Sequence, residues 1–339
     1  MQHRQLGRSG LYLTDLTLGT MTFGETSGRG TPPEEAVRMI HHYLGLGGNH
    51  LDTANVYAGG RSEEIIGEAI KHRRVDVILA TKANFPIGKD INDKGLSRHN
   101  ILRTVEGSLR RLQTDYIDLL YMHAWDEVAP IDESLRAYDD LVRSGKVRYI
   151  GVSNFKAWQL MKALSVSEAR GWERFVAAQY QYSLVMRDID YEYLDLFAKE
   201  GLGLMPWGPL GGGFLSGKYR PEHRPADYSE GRLGGMPEHT EEAWDRRNTE
   251  RNWDILEAVG KIAQERGVPY TQVAIAWLKQ QPTVTSVIIG ARTFEQLEDN
   301  LGAADLSLTS DEQELLDSLS RPAERYPYRF LESYGRKPQ

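Results

Sequence analysis

Residues 50–57 read His50-Leu51-Asp52-Thr53-Ala54-Asn55-Val56-Tyr57, and the organisation of the whole chain can be worked out from them. The apolar run that opens this stretch predicts a short strand ending at Asp52. Tyr57 comes five residues later, just before a turn at Ala58-Gly59-Gly60. A carboxylate at a strand end beside a phenol can form a proton-delivery pair. However, Asp at a strand end also commonly caps a helix, and Tyr is common in loops, so both interpretations stay open for this stretch alone.

The alternation of strand and helix patterns continues along the chain. Apolar runs predict eight strands, near residues 16–18, 49–52, 76–81, 116–121, 147–151, 175–178, 203–206 and 285–289. Continuous apolar strands between amphipathic helices predict an α/β fold with a parallel sheet, and eight of them favour a closed (β/α)8 TIM barrel. A doubly wound sheet is the alternative. It would be expected to show Gly-x-Gly-x-x-Gly after an early strand, and that spacing does not occur in the sequence.

Polar residues followed by apolar periodicity predict the helix starts. Thr31 with Pro32, Ser62 and Ser97 are expected to cap the helices that follow the first three strands. Later helices are predicted from Asp132, Lys156 and Tyr191, near residues 249–265 and 270–280, and from Thr293 and Thr309.

Residues 1–339 are expected to form a single barrel domain with four additions. Leu6 to Leu11 read as the turn of an N-terminal β-hairpin within residues 1–14. Residues 208–248, rich in Gly, Pro and charge, form a segment too long for an ordinary connection, which indicates a cofactor or substrate loop. Extra helices follow the barrel, and residues 322–339 are predicted to be an irregular tail.

The bulk composition excludes several classes of protein. The chain has 339 residues and a net charge of −7, which argues against a nucleic-acid binder. No apolar run approaches the ~18 residues that a membrane span needs, and residues 1–20 lack a signal-peptide pattern. The absence of cysteine removes disulfides, thiol nucleophiles and thiolate metal sites, and is compatible with a cytoplasmic location. We also expect no metal site, since His41 and His42 lack a third ligand at suitable spacing.

In a barrel, chemistry is expected at the carboxyl ends of the strands. The residues at those predicted ends are Thr20 and Met21, Asp52 and Tyr57, Lys82, His123, Ser153 and Asn154, Gln179, Trp207, and Gly290 with Arg292. Four of them can titrate or move protons, and these come from three neighbouring strands. Such a convergence is much less expected by chance than any single residue.

The four titratable groups suggest acid catalysis on a carbonyl. The phenol of Tyr57, with a reference pKa of ~10, needs tuning to act near neutral pH. An ammonium at Lys82, oriented by Asp52, would favour the phenolate, and His123 could polarise a carbonyl oxygen. A cofactor must then deliver the electron pair. Taken singly, Lys82 could be a solvated strand-end lysine and His123 a hydrogen-bonded core histidine.

The sequence resembles the aldo-keto reductases from end to end, most closely the branch with bacterial general-stress reductases and potassium-channel β-subunits. The motifs that carry the resemblance are Leu6-Gly7-Arg8-Ser9-Gly10-Leu11, Leu18-Gly19-Thr20, Leu51-Asp52-Thr53-Ala54 with Tyr57, Thr81-Lys82, Asp115-Tyr116-Ile117-Asp118-Leu119 with His123, Gly151-Val152-Ser153-Asn154, Gln179-Tyr180, Gly217-Lys218-Tyr219, and Glu295-Gln296-Leu297 with Asn300. Many ordered matches over some 300 residues make the resemblance specific.

The resemblance implies an NADPH-dependent carbonyl reductase with Tyr57 as general acid in a tetrad with Asp52, Lys82 and His123. It also implies a cofactor site. Ser153, Asn154 and Gln179 would hold the nicotinamide carboxamide, and Trp207 would stack on its ring. The other implied cofactor residues are Gly19, Thr20, Met21 and Asp52 near the nicotinamide, Gly208, Pro209, Leu210, Gly211, Gly213, Ser216 and Lys218 over the pyrophosphate, and Gly290, Arg292, Gln296, Asp299 and Asn300 at the adenosine end.

Arg292 gives a physical argument for NADP(H) over NAD(H). It lies just before a predicted helix, whose amino end favours an anion, and a guanidinium can bind a 2′-phosphate in bidentate fashion. Lys218 would add a second charge. Without the family pattern, Arg292 could equally be an exposed residue at a helix start. Two residues depart from many relatives: Ala58 replaces Gly, and Gly208 replaces Ser.

The residues expected to shape the substrate pocket are largely apolar or aromatic: Phe23, Tyr57, Asn84, Phe85, His123, Trp125 and the segment 219–248. They suit a small-molecule carbonyl substrate, an aldehyde or ketone, better than an acid. The competing hypothesis is a non-catalytic NADPH-binding, redox-sensing subunit that works as an oligomer docked to a partner, as the channel β-subunits suggest. The intact tetrad favours the enzyme.

Overall fold

A parallel sheet of eight strands forms the centre of the protein. The computed structural model describes residues 1–26 and 28–335. In chain order the sheet strands are β3 (Leu16–Gly19), β4 (His50–Asp52), β5 (Ile78–Ala83), β6 (Ile117–Met122), β7 (Val147–Ser153), β8 (Phe175–Gln179), β9 (Gly203–Leu204) and β10 (Val287–Gly290). They pair in sequence order from β3 to β9, and β10 pairs with β3.

The sheet closes into a ring between β9 and β10. Thr285 N donates to Leu204 O at 2.9 Å, and Ile288 N donates to Pro206 O at 2.9 Å. These bonds join the last strand of the order to the first, which confirms the predicted (β/α)8 barrel. The start of β5 was predicted too early. Residues Arg74–Asp76 form a 3-10 turn, so Asp76 belongs to that turn and the strand begins at Ile78.

Helices surround the ring. They are α1 (Pro33–Gly45), α2 (Arg61–Ile70), α3 (Arg98–Arg111), α4 (Ile131–Arg143), α5 (Ala157–Arg170), α6 (Tyr193–Glu200), α7 (Trp244–Arg247), α8 (Glu250–Arg266), α9 (Tyr270–Lys279), α10 (Phe294–Leu301), α11 (Ser310–Ser320) and α12 (Tyr328–Tyr334). Their buried faces are apolar, as in α1, where the buried side chains recur with helical spacing. None of the helices in the described residues is both long and apolar enough to cross a membrane.

Two of the predicted helix caps are wrong. Thr31 is not the cap of α1, because it bridges to Phe23 and its hydroxyl donates to Arg292 O at 3.2 Å. Ser62 lies inside α2, where its hydroxyl donates to Thr20 O at 2.9 Å. In both cases a contact with a distant segment replaced the local cap. Ser97 does cap α3, accepting from Asn100 N at 3.2 Å.

The N-terminal hairpin lies at the amino end of the barrel. Strands β1 (His3–Gln5) and β2 (Tyr12–Thr14) pair antiparallel, as the turn between them predicts. Leu6 and Leu13 are fully buried and join the cluster of side chains inside the barrel, which includes Leu119, Tyr121, Ala177 and Met205. The hairpin therefore covers this end, and the carboxyl ends of the strands remain for a ligand.

The long segment and the tail differ from a plain loop. Residues 208–248 contain two 3-10 turns, Phe214–Ser216 and Arg232–Gly235, in addition to α7. The tail was predicted to be irregular, but residues 328–334 form α12, while the last four residues, 336–339, lie outside the described part of the chain. The tail docks through Tyr328, whose ring stacks on Tyr191 at 5.2 Å and whose hydroxyl donates to Glu192 at 2.7 Å. These long-range contacts support the short helix.

Candidate active site

A buried ion pair forms the floor of the carboxyl-end opening. Lys82 Nζ lies 2.6 Å from Asp52 Oδ1, and the two side chains are 0% and 4% exposed. The same ammonium donates to Thr53 O at 2.7 Å and to the Tyr57 hydroxyl at 3.3 Å. Because β4 and β5 are adjacent parallel strands, their ends meet, and three residues predicted from sequence come together as one cluster.

Asp52 receives a second donor from far along the chain. Gln179 Nε2 donates to Asp52 Oδ2 at 2.7 Å, although the two residues are 127 positions apart. The Asp52 carboxylate thus accepts from Lys82 on one oxygen and from Gln179 on the other. This arrangement holds the carboxylate, and through it the ammonium, in one orientation.

Tyr57 begins the 3-10 turn Tyr57–Gly60 that connects β4 to α2. Its ring lies 4.9 Å from Lys82 Nζ, so the ammonium contacts both its hydroxyl and its face. The following Ala58 has φ 48, a left-handed conformation that glycine adopts more readily than other residues. An alanine occupies such a backbone at some cost.

His123 packs its ring beside the phenol. The ring centroids of Tyr57 and His123 are 6.1 Å apart at 82°, and Phe85 contacts His123 from another side at 4.7 Å. Burial and the charge of Lys82 hold the pKa of His123 well below its usual value. The imidazole is therefore neutral at neutral pH and can donate one hydrogen bond without carrying charge.

The pKa of Tyr57 is raised, whereas the sequence analysis expected Lys82 to favour the phenolate and so to lower it. Burial raises the pKa of Tyr57, Lys82 lowers it, and Asp52 raises it again, with a net increase. For Lys82, burial lowers the pKa, but the charge of Asp52 and the hydrogen bonds to Asp52 and Tyr57 help to outweigh it, so its pKa is raised. Lys82 does lower the pKa of Tyr57, as predicted, but burial raises that pKa by more. The ammonium and the neutral phenol are both protonated at neutral pH, so the cluster is set to donate.

A belt of polar side chains continues from this cluster along the next strand ends. Ser153 Oγ donates to Gln179 O at 2.7 Å, and Asn154 Nδ2 donates to Ser153 Oγ at 2.9 Å and to His123 O at 3.0 Å. Trp207 Nε1 donates to Asn154 Oδ1 at 3.4 Å. All four residues predicted to hold the nicotinamide thus lie in one connected group, with Asn154 exposed at its outer edge.

The ends of β3 and β4 are joined behind the floor. Thr20 is fully buried, and its hydroxyl donates to Asp52 O at 2.9 Å, so it is tied to the protein backbone. Met21 is half-buried next to it, and Gly19 pairs with Asp52 in the sheet. Of these three residues, Met21 offers side-chain surface to a ligand.

The glycine-rich turn Gly208–Gly213 follows Trp207. Gly208, Gly211 and Gly213 have positive φ, whereas Pro209 is buried and Leu210 half-buried. Ser216 Oγ donates to Gly213 O at 2.8 Å, which ties the turn to the following 3-10 turn. Four of its six residues are glycine, so the segment consists mainly of backbone, the type of structure from which anion-binding turns are built.

The predicted adenosine end gathers around the start of α10. Arg292 N donates to Gln296 Oε1 at 2.9 Å, and Asn300 Nδ2 donates to Gly290 O at 3.1 Å. Gly290 and Asp299 are exposed. The structure brings these five residues together at the carboxyl end of β10.

Lys218 and Arg292 are two cations whose charges interact. Burial and the charge of Arg292 lower the pKa of Lys218. In the described part of the chain no ion pair within 4.0 Å joins either cation to a carboxylate. Two cations on the same side without a carboxylate favour an anion.

The residues predicted for the substrate pocket separate into two groups. Phe85 is 40% exposed and Trp125 is partly buried, with its ring 5.8 Å from Trp158, so these rings border the opening near His123. Asn84 is buried, and its amide donates to Ala124 O at 2.6 Å. Phe23 was assigned to the pocket, but it has no exposed surface and packs in the core between barrel and helices, so it presents nothing to solvent.

Arg232 was missed by the sequence analysis. Its guanidinium pairs with the buried Glu242 at 2.5 Å, and its charge is one of those that lower the pKa of Tyr57. The long segment 219–248 had been singled out, but nothing in its spacing distinguishes this arginine from its charged neighbours. Among the described residues, no group of three or more His, Asp or Glu side chains is arranged to hold a metal ion.

The sequence matches the family model of the aldo/keto reductases over residues 15–321. The chain belongs to the aldo/keto reductase family. This membership agrees with the closed barrel and with the cluster at the carboxyl ends of its strands.

Relatives in this family cover nearly the whole chain. An uncharacterized oxidoreductase, YrpG, of Bacillus subtilis (strain 168) is 38% identical over 331 residues, covering 94% of this chain and 96% of that protein. A probable voltage-gated potassium channel subunit beta of Oryza sativa subsp. japonica is 36% identical, covering 98% and 100%. An aryl-alcohol dehydrogenase (NADP(+)) of Phanerodontia chrysosporium is 33% identical, covering 96% and 88%. Two of these three relatives are named as an oxidoreductase or a dehydrogenase.

Proposed function

We propose that the protein reduces aldehydes or ketones to alcohols with NADPH, using Tyr57 as the general acid. The observation that carries this proposal is the buried cluster in which Lys82 Nζ lies 2.6 Å from Asp52 and 3.3 Å from the Tyr57 hydroxyl. A structural ion pair would need neither a phenol nor a neutral histidine beside it. Both are half-buried and follow the carboxyl ends of strands, where barrel enzymes carry their chemistry.

The residues divide the work between them. Tyr57 donates its hydroxyl proton to the carbonyl oxygen as negative charge develops there. Lys82 stabilises the phenolate that remains, and Asp52 holds the ammonium in place. His123, neutral because burial and Lys82 lower its pKa, can donate a hydrogen bond to the same carbonyl oxygen. The aromatic side chains of Phe85 and Trp125 would exclude water from the reacting carbon.

The residues present fit a dinucleotide. NADPH, when bound, would supply a hydride to the carbonyl carbon and be left as NADP⁺. Ser153, Asn154 and Gln179 have amide and hydroxyl groups that suit a carboxamide, and the indole of Trp207 is half-buried beside them. Arg292 and Lys218, which lack carboxylate partners within 4.0 Å among the described residues, would bind the 2′-phosphate.

The substitution Tyr57→Phe tests the general acid. We expect turnover of an aldehyde panel to fall by about 10²–10⁴-fold, the usual contribution of a positioned acid. NADPH affinity, measured by fluorescence titration, should stay unchanged, because Tyr57 is not among the residues assigned to the cofactor. Normal turnover in this variant would refute the proposal.

The substitution Arg292→Gln tests the cofactor preference. We expect the affinity for NADPH to fall and that for NADH to remain, because the guanidinium would bind only the 2′-phosphate. A charge-assisted contact of this kind is worth about 1.5–3 kcal/mol, or roughly 10- to 150-fold in affinity. Equal losses for both nucleotides would assign Arg292 to another part of the ligand.

A second function is favoured by the 36% identity to a probable channel β-subunit. The protein would then bind NADPH as a redox sensor and dock on a partner. In that case a panel of aldehydes, quinones, keto sugars and steroid-like ketones would give no turnover, while NADPH binding remained. Turnover of any of these carbonyls that depends on Tyr57 would decide for the enzyme.

A further inference from the structure

Arg247, the last residue of α7, is a buried cation without a partner. Its side chain belongs to the largest fully buried ones, and the residue is 1% exposed. Its Nε and Nη2 atoms have no hydrogen-bond partner. No ion pair within 4.0 Å joins it to any carboxylate of the described residues. Buried arginines are normally paired, and buried N–H groups normally have acceptors, so this side chain needs an explanation.

Two of the three carboxylates whose charge acts on Arg247 are already paired with other arginines, and the third, Asp188, forms no ion pair with Arg247 within 4.0 Å. Glu242 pairs with Arg232 at 2.5 Å, and Glu241 pairs with Arg246 at 3.9 Å. Burial lowers the pKa of Arg247 although Glu242 and Glu241 raise it. A guanidinium nevertheless stays charged at neutral pH, so the protein has a buried positive charge here with no carboxylate of the described residues within 4.0 Å.

The charge lies directly beneath the glycine-rich turn Gly208–Gly213. A Cβ placed on Gly211 would lie 3.6 Å from Arg247 Nε and 2.5 Å from Val185 Cγ2. Gly211 has φ 58, in the left-handed region that favours glycine, and Gly212 and Gly213 follow with positive φ as well. The turn is thus a thin layer of backbone over the guanidinium, with no side chain at these three positions to separate it from a ligand.

We propose that Arg247 supplies a buried positive charge to a diphosphate group bound at the glycine-rich turn Gly208–Gly213. This inference rests on the proposed function, since the diphosphate is that of the bound dinucleotide. The diphosphate is the counter-charge that the protein itself lacks at Arg247. Electrostatic attraction is stronger where water is excluded. A buried guanidinium beside backbone N–H groups therefore attracts an anion more strongly than a cation on the surface does. Arg247 is a positioning residue for the cofactor and takes no part in proton transfer.

The test compares three substitutions in the full-length protein. Arg247→Met removes the charge but keeps an unbranched apolar stem, and Arg247→Lys keeps the charge. Arg246→Met is the matched control, because Arg246 is the adjacent residue in sequence but exposed and directed to Glu241. NADPH affinity is measured by fluorescence titration at low and high salt. The thermal unfolding of the apoprotein is measured in parallel, with and without inorganic pyrophosphate.

We expect Arg247→Met to weaken NADPH binding by roughly tenfold or more, as for the loss of a contact to a charged group. Arg247→Lys should recover part of this loss, and Arg246→Met should bind as the wild type does. The apoprotein of Arg247→Met should unfold at the same temperature as the wild type or a higher one, since an unpaired buried charge is removed. Inorganic pyrophosphate should raise the unfolding temperature of the wild type more than that of Arg247→Met.

Opposite results overturn the inference. An Arg247→Met protein that binds NADPH within twofold of the wild type would show that the charge does not reach the ligand. An Arg247→Met protein that fails to fold, or unfolds at a much lower temperature, would make Arg247 a structural residue. None of these measurements depends on carbonyl turnover. A wild type that binds NADPH but reduces no carbonyl would refute the proposed function, and the test of Arg247 would still be valid.

Discussion

The buried pair of Lys82 and Asp52 allows a quantitative test of what holds the site together. The two charges lie 2.6 Å apart with side chains 0% and 4% exposed, so water and salt screen them little. Removing one partner of such a pair costs about 3–5 kcal/mol, because the other charge is left buried. The two single substitutions should differ. After Asp52→Asn the ammonium keeps Thr53 O and the Tyr57 hydroxyl as acceptors, whereas after Lys82→Met the carboxylate keeps only Gln179.

A double-mutant cycle measures the coupling directly. Asp52→Asn, Lys82→Met and the double variant are unfolded in urea without cofactor and followed by tryptophan fluorescence. We expect Lys82→Met to cost more than Asp52→Asn, and the double variant to lose about 2–3 kcal/mol less than the sum of the two, since neither charge then remains alone.

An exposed pair of the same residue types provides the control. Lys199 and Asp195 also lie 2.7 Å apart, but their side chains are 71% and 68% exposed. Their coupling should be at most about 0.5 kcal/mol. A coupling for Lys82 and Asp52 no larger than this control would refute the reasoning that burial makes the pair strong.

Two further predictions concern stability. Gly151→Ala should destabilise the protein by about 1–3 kcal/mol in urea, because the added methyl would lie 2.5 Å from a ring carbon of the buried Tyr121; unchanged stability would mean that the ring can move aside. Burial and the charge of Lys82 lower the pKa of His50 to about 3, so between pH 6.5 and 3 the unfolded chain takes up a proton that the folded chain refuses. Stability due to this residue is complete above pH 6.5 and falls by about 1.4 kcal/mol per pH unit below it. His50→Gln should therefore lose about 2 kcal/mol less than the wild type between pH 7 and pH 5, and an equal loss would contradict the assignment.

Much of the fold is written locally in the sequence. The strands from β3 to β10 are short apolar runs bounded by turn residues, and the helices have apolar faces with helical spacing, so each can be predicted from neighbouring residues alone. Their regular alternation then predicts a parallel barrel. The prediction failed where local preference competed with a distant partner. Thr31 and Ser62 do not cap helices but donate to the backbone of Arg292 and Thr20. The tail is helical where Tyr328 packs on Tyr191.

The sequence predicted which residues form the candidate cluster, but not their long-range hydrogen bonds or the direction of their pKa shifts. Asp52, Lys82 and His123 stand at the ends of adjacent strands, and parallel pairing brings such ends together without further information. The bond from Gln179 to Asp52 spans 127 residues and depends on the ring being closed. The raised pKa of Tyr57 could not be predicted, because it reflects a balance between burial and the charges of Lys82 and Asp52, which only a complete structure sets.

The sequence by itself determined the order of the strands and helices and the chemical groups at the strand ends, because periodicity and turn chemistry act over a few residues. Only the tertiary structure decided which of those groups are buried and which charges have partners. Phe23 lies in the core, Arg232 pairs with the buried Glu242, and Arg247 is a buried cation beside the glycine-rich turn. Burial and long-range pairing result from packing the whole chain, and for that reason no local pattern records them.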